Sequence, residues 1–409
     1  MDFRLSEQQL HLQQVARTFA YDQIQPRARE LDRASDSRDS FPADLVRRAS
    51  ELGLRTMTIP VADGGLGVDC LTEVIVLEEL AVGDVGFAMT LAHCWREGYF
   101  IATGTSKEQR DRFLPGFLAD PEYLTSFGQT EETAGSDNGL PFTDDVSAGP
   151  QTSAVLRDGE WIINGGKRFI TSGNVSRLMV MIARTDPTVP FTQGISTFLV
   201  PMDSPGVRTG RIESKLGLRL NQNVEVLFEN CRLPSGNLVG EVNGGYAVLE
   251  NLRYGSKTKE AARSLGVARA AFEQADAWVR TRVQGGRPII EHQAVSTVMA
   301  TMAMEIELAR SLVWRAAWAA NHDHDRVRPL EDMAKLYASE MALRVAAQSM
   351  QLFGARGALR DYPMEKLVRD AATMLLPPIG NTAVQVRLGS WLSRHQGRGV
   401  LIHDSQDHI

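Results

Sequence analysis

The periodicity of the apolar residues changes twice along this chain, and the two changes bound what it can fold into. Up to about Leu124 apolar side chains recur at helical spacing, as at Leu10, Leu12, Val15, Phe19 and Ala20. From about Thr125 to Gly240 short alternating runs take over, at 161–163, 178–182, 196–200 and 224–228, with Gly, Pro and Asp between them. From about Glu241 the helical period returns over 265–278, 295–320 and 333–352. This predicts an α+β fold in three parts: an N-terminal helical domain (1–124), a middle β-barrel or sandwich (125–240) and a C-terminal antiparallel helical bundle (241–409). The 409 residues, 43% of them hydrophobic, suffice for that much core.

Local signals refine the plan. Ser6 ahead of Glu7, Gln8 and Gln9 is a capped helix start. Pro42 suits the first turn of a second helix, and Glu78, Glu79 and Leu80 end an amphipathic one. Gly64, Gly65 and Gly67 mark a tight turn; no preceding strand makes it a phosphate loop. Residues 161–173 read as a strand, a Gly165-Gly166 turn and a second strand. With a net charge of -6 and no basic aromatic stripe, nucleic acid is not an expected partner. No apolar run is long enough for a membrane span, and residues 1–5 lack a targeting pattern. Cys70, Cys94 and Cys231 are widely spaced, as expected of reduced thiols in a cytoplasmic protein. His322 and His324 stand among aspartates, but a metal site needs a fuller ligand array, so an exposed loop is expected and no metal.

Two stretches carry chemistry. Residues 127–137 read F-G-Q-T-E-E-T-A-G-S-D, and 161–173 read W-I-I-N-G-G-K-R-F-I-T-S-G. In this order they resemble the acyl-CoA dehydrogenase family of flavoproteins, whose usual motifs are T-E-P-x-x-G-S-D and a strand ending in an aromatic, Ile and Thr. Glu132 stands where the family has Pro, and Phe169 where Trp is frequent. Further blocks agree: residues 104–114, with one residue more before Gln109; 215–219; 228–234; 282–293, with Gly285 for the family's Phe; and 351–355, with Ala355 for a Gly. Between Asp137 and Thr152 the chain is longer than the family usual, either as a solvated loop or as an altered rim of the substrate channel. The resemblance implies noncovalent FAD held by Phe127, Gln129, Thr130, Gly135, Ser136, Phe169, Ile170 and Thr171. It also implies that Arg282 and Gln293 reach the cofactor of a neighbouring subunit, in a homodimer, a homotetramer or a hetero-oligomer, and that Gln351 and Gly354 bind the cofactor. Backbone donors, an aromatic face and a guanidinium for the pyrophosphate are what a flavin dinucleotide requires. Ser136, Tyr254 and Lys257 fall at substrate-side positions of the resemblance. It further implies an acyl thioester substrate, on coenzyme A or acyl-carrier protein, and an electron-transfer flavoprotein as acceptor.

One departure matters most. Family members remove the proton α to the thioester with a carboxylate while hydride leaves the β-carbon, which requires a base of raised pKa in a dry pocket. At the position of the usual Glu, eight residues after Asp370, stands Pro378, or Ile379 with one residue inserted. At the second familiar site, a Glu ahead of a helix Arg, stand Ser256 and Lys257. Glu260 follows Ser256 by one helical turn and is the candidate replacement, against the plainer reading of a surface or ion-paired helix residue beside Lys257 and Lys259. Tyr254 is a weaker base, with an ordinary pKa near ~10. Three readings stand: a displaced base, a partner subunit that supplies the base or needs this chain only as a scaffold, and a flavin monooxygenase or oxidase that needs no α-proton abstraction.

Overall fold

The computed structural model describes residues 4–34, 37–139, 145–253, 255–322 and 324–395. Six helices open the chain: α1 (Glu7–Phe19), α2 (Gln25–Asp32), α3 (Ala43–Glu51), α4 (Cys70–Gly83), α5 (Val85–Thr103) and α6 (Lys107–Ala119). Ser6 and Gln9 close the expected capping box on α1, which buries Leu12, Ala16 and Phe19 and leaves Leu10 exposed. Pro42 sits at the N-cap of α3, one position ahead of the first turn. The glycine-rich turn is structural: a Cβ on Gly65 would lie 2.1 Å from the Ile59 carbonyl oxygen.

α4 differs from the amphipathic expectation. Every residue from Thr72 to Gly83 is buried, because the helix runs through the middle of the molecule against α1 and the later α9 and α10. Its acidic residues face cations instead of water. Glu78 pairs with Arg269 and Arg310, each at 2.9 Å, and Glu79 with Arg17 at 2.7 Å and with Arg269. A charge is tolerated there only because it is matched.

The strands fall between Leu124 and Val239: β1 (Leu124–Gly128), β2 (Ser153–Arg157), β3 (Glu160–Thr171), β4 (Ser176–Arg184), β5 (Ile195–Pro201), β6 (Val207–Ile212), β7 (Asn223–Pro234) and β8 (Leu238–Val239). They form one sheet in the order β6-β7-β3-β2-β4-β5-β8, with β1 parallel to β4 off that path. The sheet curls over its own core, since Trp161 of β3 packs edge-on against Phe198 of β5, three places away, at 5.1 Å. The expected Gly165-Gly166 turn is absent. β3 runs unbroken through both glycines, with an irregular register against β7 between Ile163 and Gly165. A Cβ on Gly165 would lie 2.7 Å from Thr152 Cα, so glycine there permits close backbone approach rather than reversal.

The short α7 (Phe191–Gly194) lies between β4 and β5, and the chain closes with α8 (Gly245–Arg253) and the bundle α9 (Ser256–Thr281), α10 (Gln293–His322), α11 (His324–Leu352), α12 (Met364–Thr373) and α13 (Asn381–His395). A two-strand hairpin, β9 (Val283–Gln284) and β10 (Arg287–Pro288), joins α9 to α10. The three long helices exceed their predicted spans at both ends or at one. Apolar residues of α1, α4 and α5 share one core with α9, α10 and α11, so the first and last helical parts pack as one body.

Candidate active site

The residues expected to hold FAD fall into two groups. The first lies where β1 leaves the sheet. Phe127 sits under the Arg96 guanidinium, 4.9 Å from its ring centre. Beyond it, Arg168 N donates to Thr130 O at 2.8 Å, stitching the loop to β3. Glu131 is the anchor that the sequence reading passed over. Its carboxylate lies 2.6 Å from the fully buried Lys167 Nζ and accepts the backbone N–H of Gln151 (2.6 Å) and Thr152 (3.0 Å). Burial pushes the Glu131 carboxyl up, but Lys167 and these donors outweigh it and hold it below the ordinary value. Burial draws the Lys167 ammonium down, only partly offset by Glu131. Glu132, in the family's proline position, is exposed and pairs with Arg168 at 2.7 Å. Gly135 N donates to Asp137, and Ser136 is exposed at the start of a 3-10 turn on which α13 packs.

Phe169 takes a left-handed backbone (φ 57°) and leaves its ring 55% exposed, with Arg168 stacked over one face at 5.4 Å. Such a conformation in a bulky residue is costly, and neighbouring bonds must hold it. Asn223 fixes it, donating to Phe169 O at 2.9 Å and to Thr171 Oγ1 at 3.2 Å. Ile170 and Thr171 are buried behind it.

The second group lies at one end of the bundle. Arg282 caps α9, and Ile289 N donates to its carbonyl at 2.8 Å. One turn earlier Trp278 stacks on Phe353 at 4.7 Å, which brings Arg282 to the end of α11 that bears Gln351 and Gly354. Gln293, Gln351 and Gly354 are exposed. Gly285 stands at the hairpin tip with φ 62°, beside the His292 ring. No hydrogen bond, ion pair or ring contact joins the two groups among the described residues. An uncovered aromatic face with adjacent backbone, and a separate half-buried guanidinium near exposed amide side chains, are groups that suit the two ends of a flavin dinucleotide.

At the base position no carboxylate is found. Ile379 is buried and its carbonyl accepts from Lys335 Nζ at 3.0 Å; the same ammonium binds Leu375 O at 3.0 Å and Asn381 Oδ1. Burial draws Lys335 down to about 8, although three acceptors surround it. Ser256 Oγ donates to Arg253 O at 2.7 Å, from the start of α9 back to the end of α8. Tyr254 lies outside the described residues.

Glu260 is not at the surface. It is buried in α9, ion-paired one turn on with the equally buried Arg263. Lys257 and Lys259 are not its partners, contrary to expectation. Lys257 lies 2.8 Å from Glu331 and 3.2 Å from Asp332, and Lys259 lies 2.6 Å from Glu73. Lys257 is therefore committed to an ion pair within the protein. Glu260 Oε2, together with Nε and Nη1 of Arg263, has no hydrogen-bond partner among the described residues. Arg96 and His93 of α5 come next: Arg96 pairs with the buried Glu97 and lies 3.1 Å from His93 Nδ1. Burial, then Arg96, keeps His93 below its ordinary value and neutral. Its Nδ1 faces both the Arg96 guanidinium at 3.1 Å and Glu97 Oε1 at 3.5 Å, so the ring is held within the Arg96–Glu97 pair. Arg263 was missed in the sequence, yet Glu260 and Arg263 at i,i+3 stand out in a run of Ala261, Ala262, Ser264, Leu265 and Gly266.

Part of the extra loop is docked rather than solvated. Buried Arg184 donates to Ala148 O (2.6 Å), Pro150 O (3.2 Å) and Val189 O (3.0 Å); residues 140–144 lie outside the described part. His322 Nδ1 bonds the Trp318 carbonyl at 2.9 Å. No helix among the described residues is long and apolar enough to cross a membrane.

Residues 6–120, 126–231 and 243–390 match, in order, the N-terminal, middle and C-terminal domains of acyl-CoA dehydrogenase. The chain is 34% identical over 377 residues to a short-chain specific acyl-CoA dehydrogenase of Clostridium acetobutylicum, covering 91% of this chain and 94% of that one. Butyryl-CoA dehydrogenase from Megasphaera elsdenii superposes with a TM-score of 0.88 at 30% identity, over 96% of this chain and all of that one. The prolyl acyl carrier protein oxidase AnaB superposes at 0.84 with 26% identity, over 95% of this chain and 100% of that one. Three consecutive domain matches and relatives of this likeness along the full length establish that the chain belongs to the acyl-CoA dehydrogenase family of FAD-dependent oxidoreductases.

Proposed function

We propose that this FAD-dependent enzyme performs the α,β-dehydrogenation of an acyl thioester with Glu260 as its displaced base. The observation that carries this reading is the buried Glu260 carboxylate, with one oxygen against Arg263 and the other unpartnered. Its surroundings support this reading. On one side Arg96, whose charge is felt with that of Arg263 at His93, stacks on Phe127 of the flavin motif. On the other, Glu260 acts through space on Lys335, which holds the Ile379 segment where the family's base would stand. Glu260 Oε2 takes the α-proton as the α-carbon–hydrogen bond breaks. Bound FAD supplies the acceptor for the hydride leaving the β-carbon, so the products are an enoyl thioester, a protonated Glu260 and reduced cofactor. Arg263 keeps the carboxylate aimed, and the surrounding α4, α5, α9 and α11 exclude water.

Phe169 provides the aromatic face for the flavin ring, and Arg282, Gln293, Gln351 and Gly354 of a neighbouring subunit bind the far end. The electron acceptor is a flavoprotein of the electron-transfer type, and the acyl carrier is coenzyme A or acyl-carrier protein, as the names of the butyryl-CoA and carrier-protein relatives suggest. The test is an anaerobic titration of FAD-loaded protein with a panel of acyl thioesters. Bleaching of the flavin by one of them supports the reading. A panel that leaves it oxidised, with rapid oxygen consumption once the flavin is reduced chemically, moves the assignment to an oxidase or monooxygenase.

A further inference from the structure

We propose that Arg263 binds an oxygen atom of the acyl chain, so that the substrate is the thioester of an oxygenated acyl group, hydroxylated or carboxylated, rather than of a plain hydrocarbon. The inference rests on the dehydrogenase reading and names its substrate class. Arg263 is 3% exposed, and only Nη2 meets a partner, Glu260; Nε and Nη1 have none among the described residues. A buried guanidinium left with two free donors is costly unless something supplies acceptors. The thioester carbonyl can supply one acceptor; a plain aliphatic chain beyond it supplies none for the second donor. It would also have to lie against a charged guanidinium, where its hydrocarbon gains nothing from burial.

The neighbouring charges point the same way. Each carboxylate around the pair already has its own cation: Glu97 has Arg96, Glu73 has Lys259, Glu331 has Lys257, and Asp332 has Lys257 and Arg387. Lys335 is bound by two carbonyls and an amide oxygen and touches no carboxylate. None of these carboxylates pairs with Arg263 among the described residues, and its two free donors suit an oxygen acceptor or an anion.

The experiment measures binding without turnover. Pantetheine thioethers share the arm common to coenzyme A and acyl-carrier protein and lack the activated α-proton. Butyl, terminally hydroxylated butyl and terminal carboxypropyl thioethers are titrated into FAD-loaded protein by calorimetry. The hydroxyl or carboxyl analogue should bind at least ~10-fold more tightly than the butyl analogue, and whichever wins identifies the source of the oxygen. In Arg263→Met that preference should vanish. Because Arg263→Met leaves Glu260 buried alone, the Glu260→Gln/Arg263→Met double variant, with no orphan charge, gives the same readout if the single variant does not fold. Equal or tighter binding of the butyl analogue, or a preference that survives both variants, overturns the inference. If butyryl thioester bleaches the flavin at the same time, the dehydrogenase reading stands and only the substrate class falls. If no analogue binds and no thioester bleaches the flavin, both fall.

Discussion

Lys366→Met should lower the melting temperature by several degrees, although Lys366 is in no site. Its Nζ lies 2.6 Å from both Asp84 and Asp370, and all three side chains are buried. Asp84 also caps α5 through Phe87 N at 2.8 Å, and Asp370 accepts Leu218 N at 2.7 Å. One ammonium thus ties the N-terminal helices, a loop of the β-domain and α12 together, and its two carboxylates hold it charged well above the ordinary lysine range against the burial that would discharge it. The adjacent Arg369 repeats the pattern, reaching Asp32 at 2.6 Å and Leu216 O at 2.8 Å. Methionine keeps the bulk but strands two carboxylates side by side. Removing one partner of a buried ionic group costs about 3–5 kcal/mol. With about 2.1 cal/mol/K of unfolding entropy per residue, a chain of 409 residues loses roughly 4–6 °C for that cost. Asp370→Asn keeps an oxygen for Leu218 N and leaves the Lys366–Asp84 pair intact, so it should cost about 1–3 kcal/mol, or ~1–3 °C. The Lys366→Met/Asp370→Asn double variant should be more stable than Lys366→Met alone, since one stranded charge is gone. Scanning calorimetry at one scan rate, with FAD in excess, reads all four proteins. A Lys366→Met melting temperature within about 1 °C of the parent, or strictly additive losses, would refute the clamp.

Glu131→Gln should strand Lys167 and loosen the flavin loop, costing about 3–5 kcal/mol and much of the FAD retention. Because Glu131 is held below its ordinary value when folded, its contribution is full above that value, near ~4.5, and disappears as pH falls through the depressed one; urea midpoints below pH ~5 should therefore fall more steeply in the parent than in Glu131→Gln. The parent protein should carry FAD noncovalently as a dimer or tetramer, whereas Arg282→Ala should lose FAD without a change of mass in light scattering. A monodisperse monomer with full flavin occupancy contradicts the shared-cofactor arrangement.

The order of helical, strand and helical parts was legible because apolar periodicity survives in residues 7–19, 224–228 and 295–320, where one face meets the core. It failed where burial is complete or backbone contact decides. α4 has no polar face to reveal, since partners far along the chain, Arg269 and Arg310, neutralise its acids. Gly165 and Gly166 look like a turn, and only the approach of Thr152 shows why a strand needs glycine there. The flavin-loop residues were legible as a motif, but Glu131 was not legible as an anchor, because its partner Lys167 is 36 positions away. The absence of a base at Pro378, Ile379 and Ser256 could be read directly. The partner of Glu260 could not, because the nearer lysines in sequence turned to Glu73, Glu331 and Asp332.

The central claim is that Glu260 accepts the α-proton, and stopped-flow reduction of the flavin in Glu260→Gln tests it most directly. Glutamine preserves the shape and an oxygen for Arg263 but removes the basic oxygen. With a thioester that bleaches the parent, the rate of flavin reduction should fall by about two orders of magnitude or more, while FAD content and thioether binding persist. Reduction at the parent's rate in a variant that still holds FAD would contradict the account and return the base to a partner subunit.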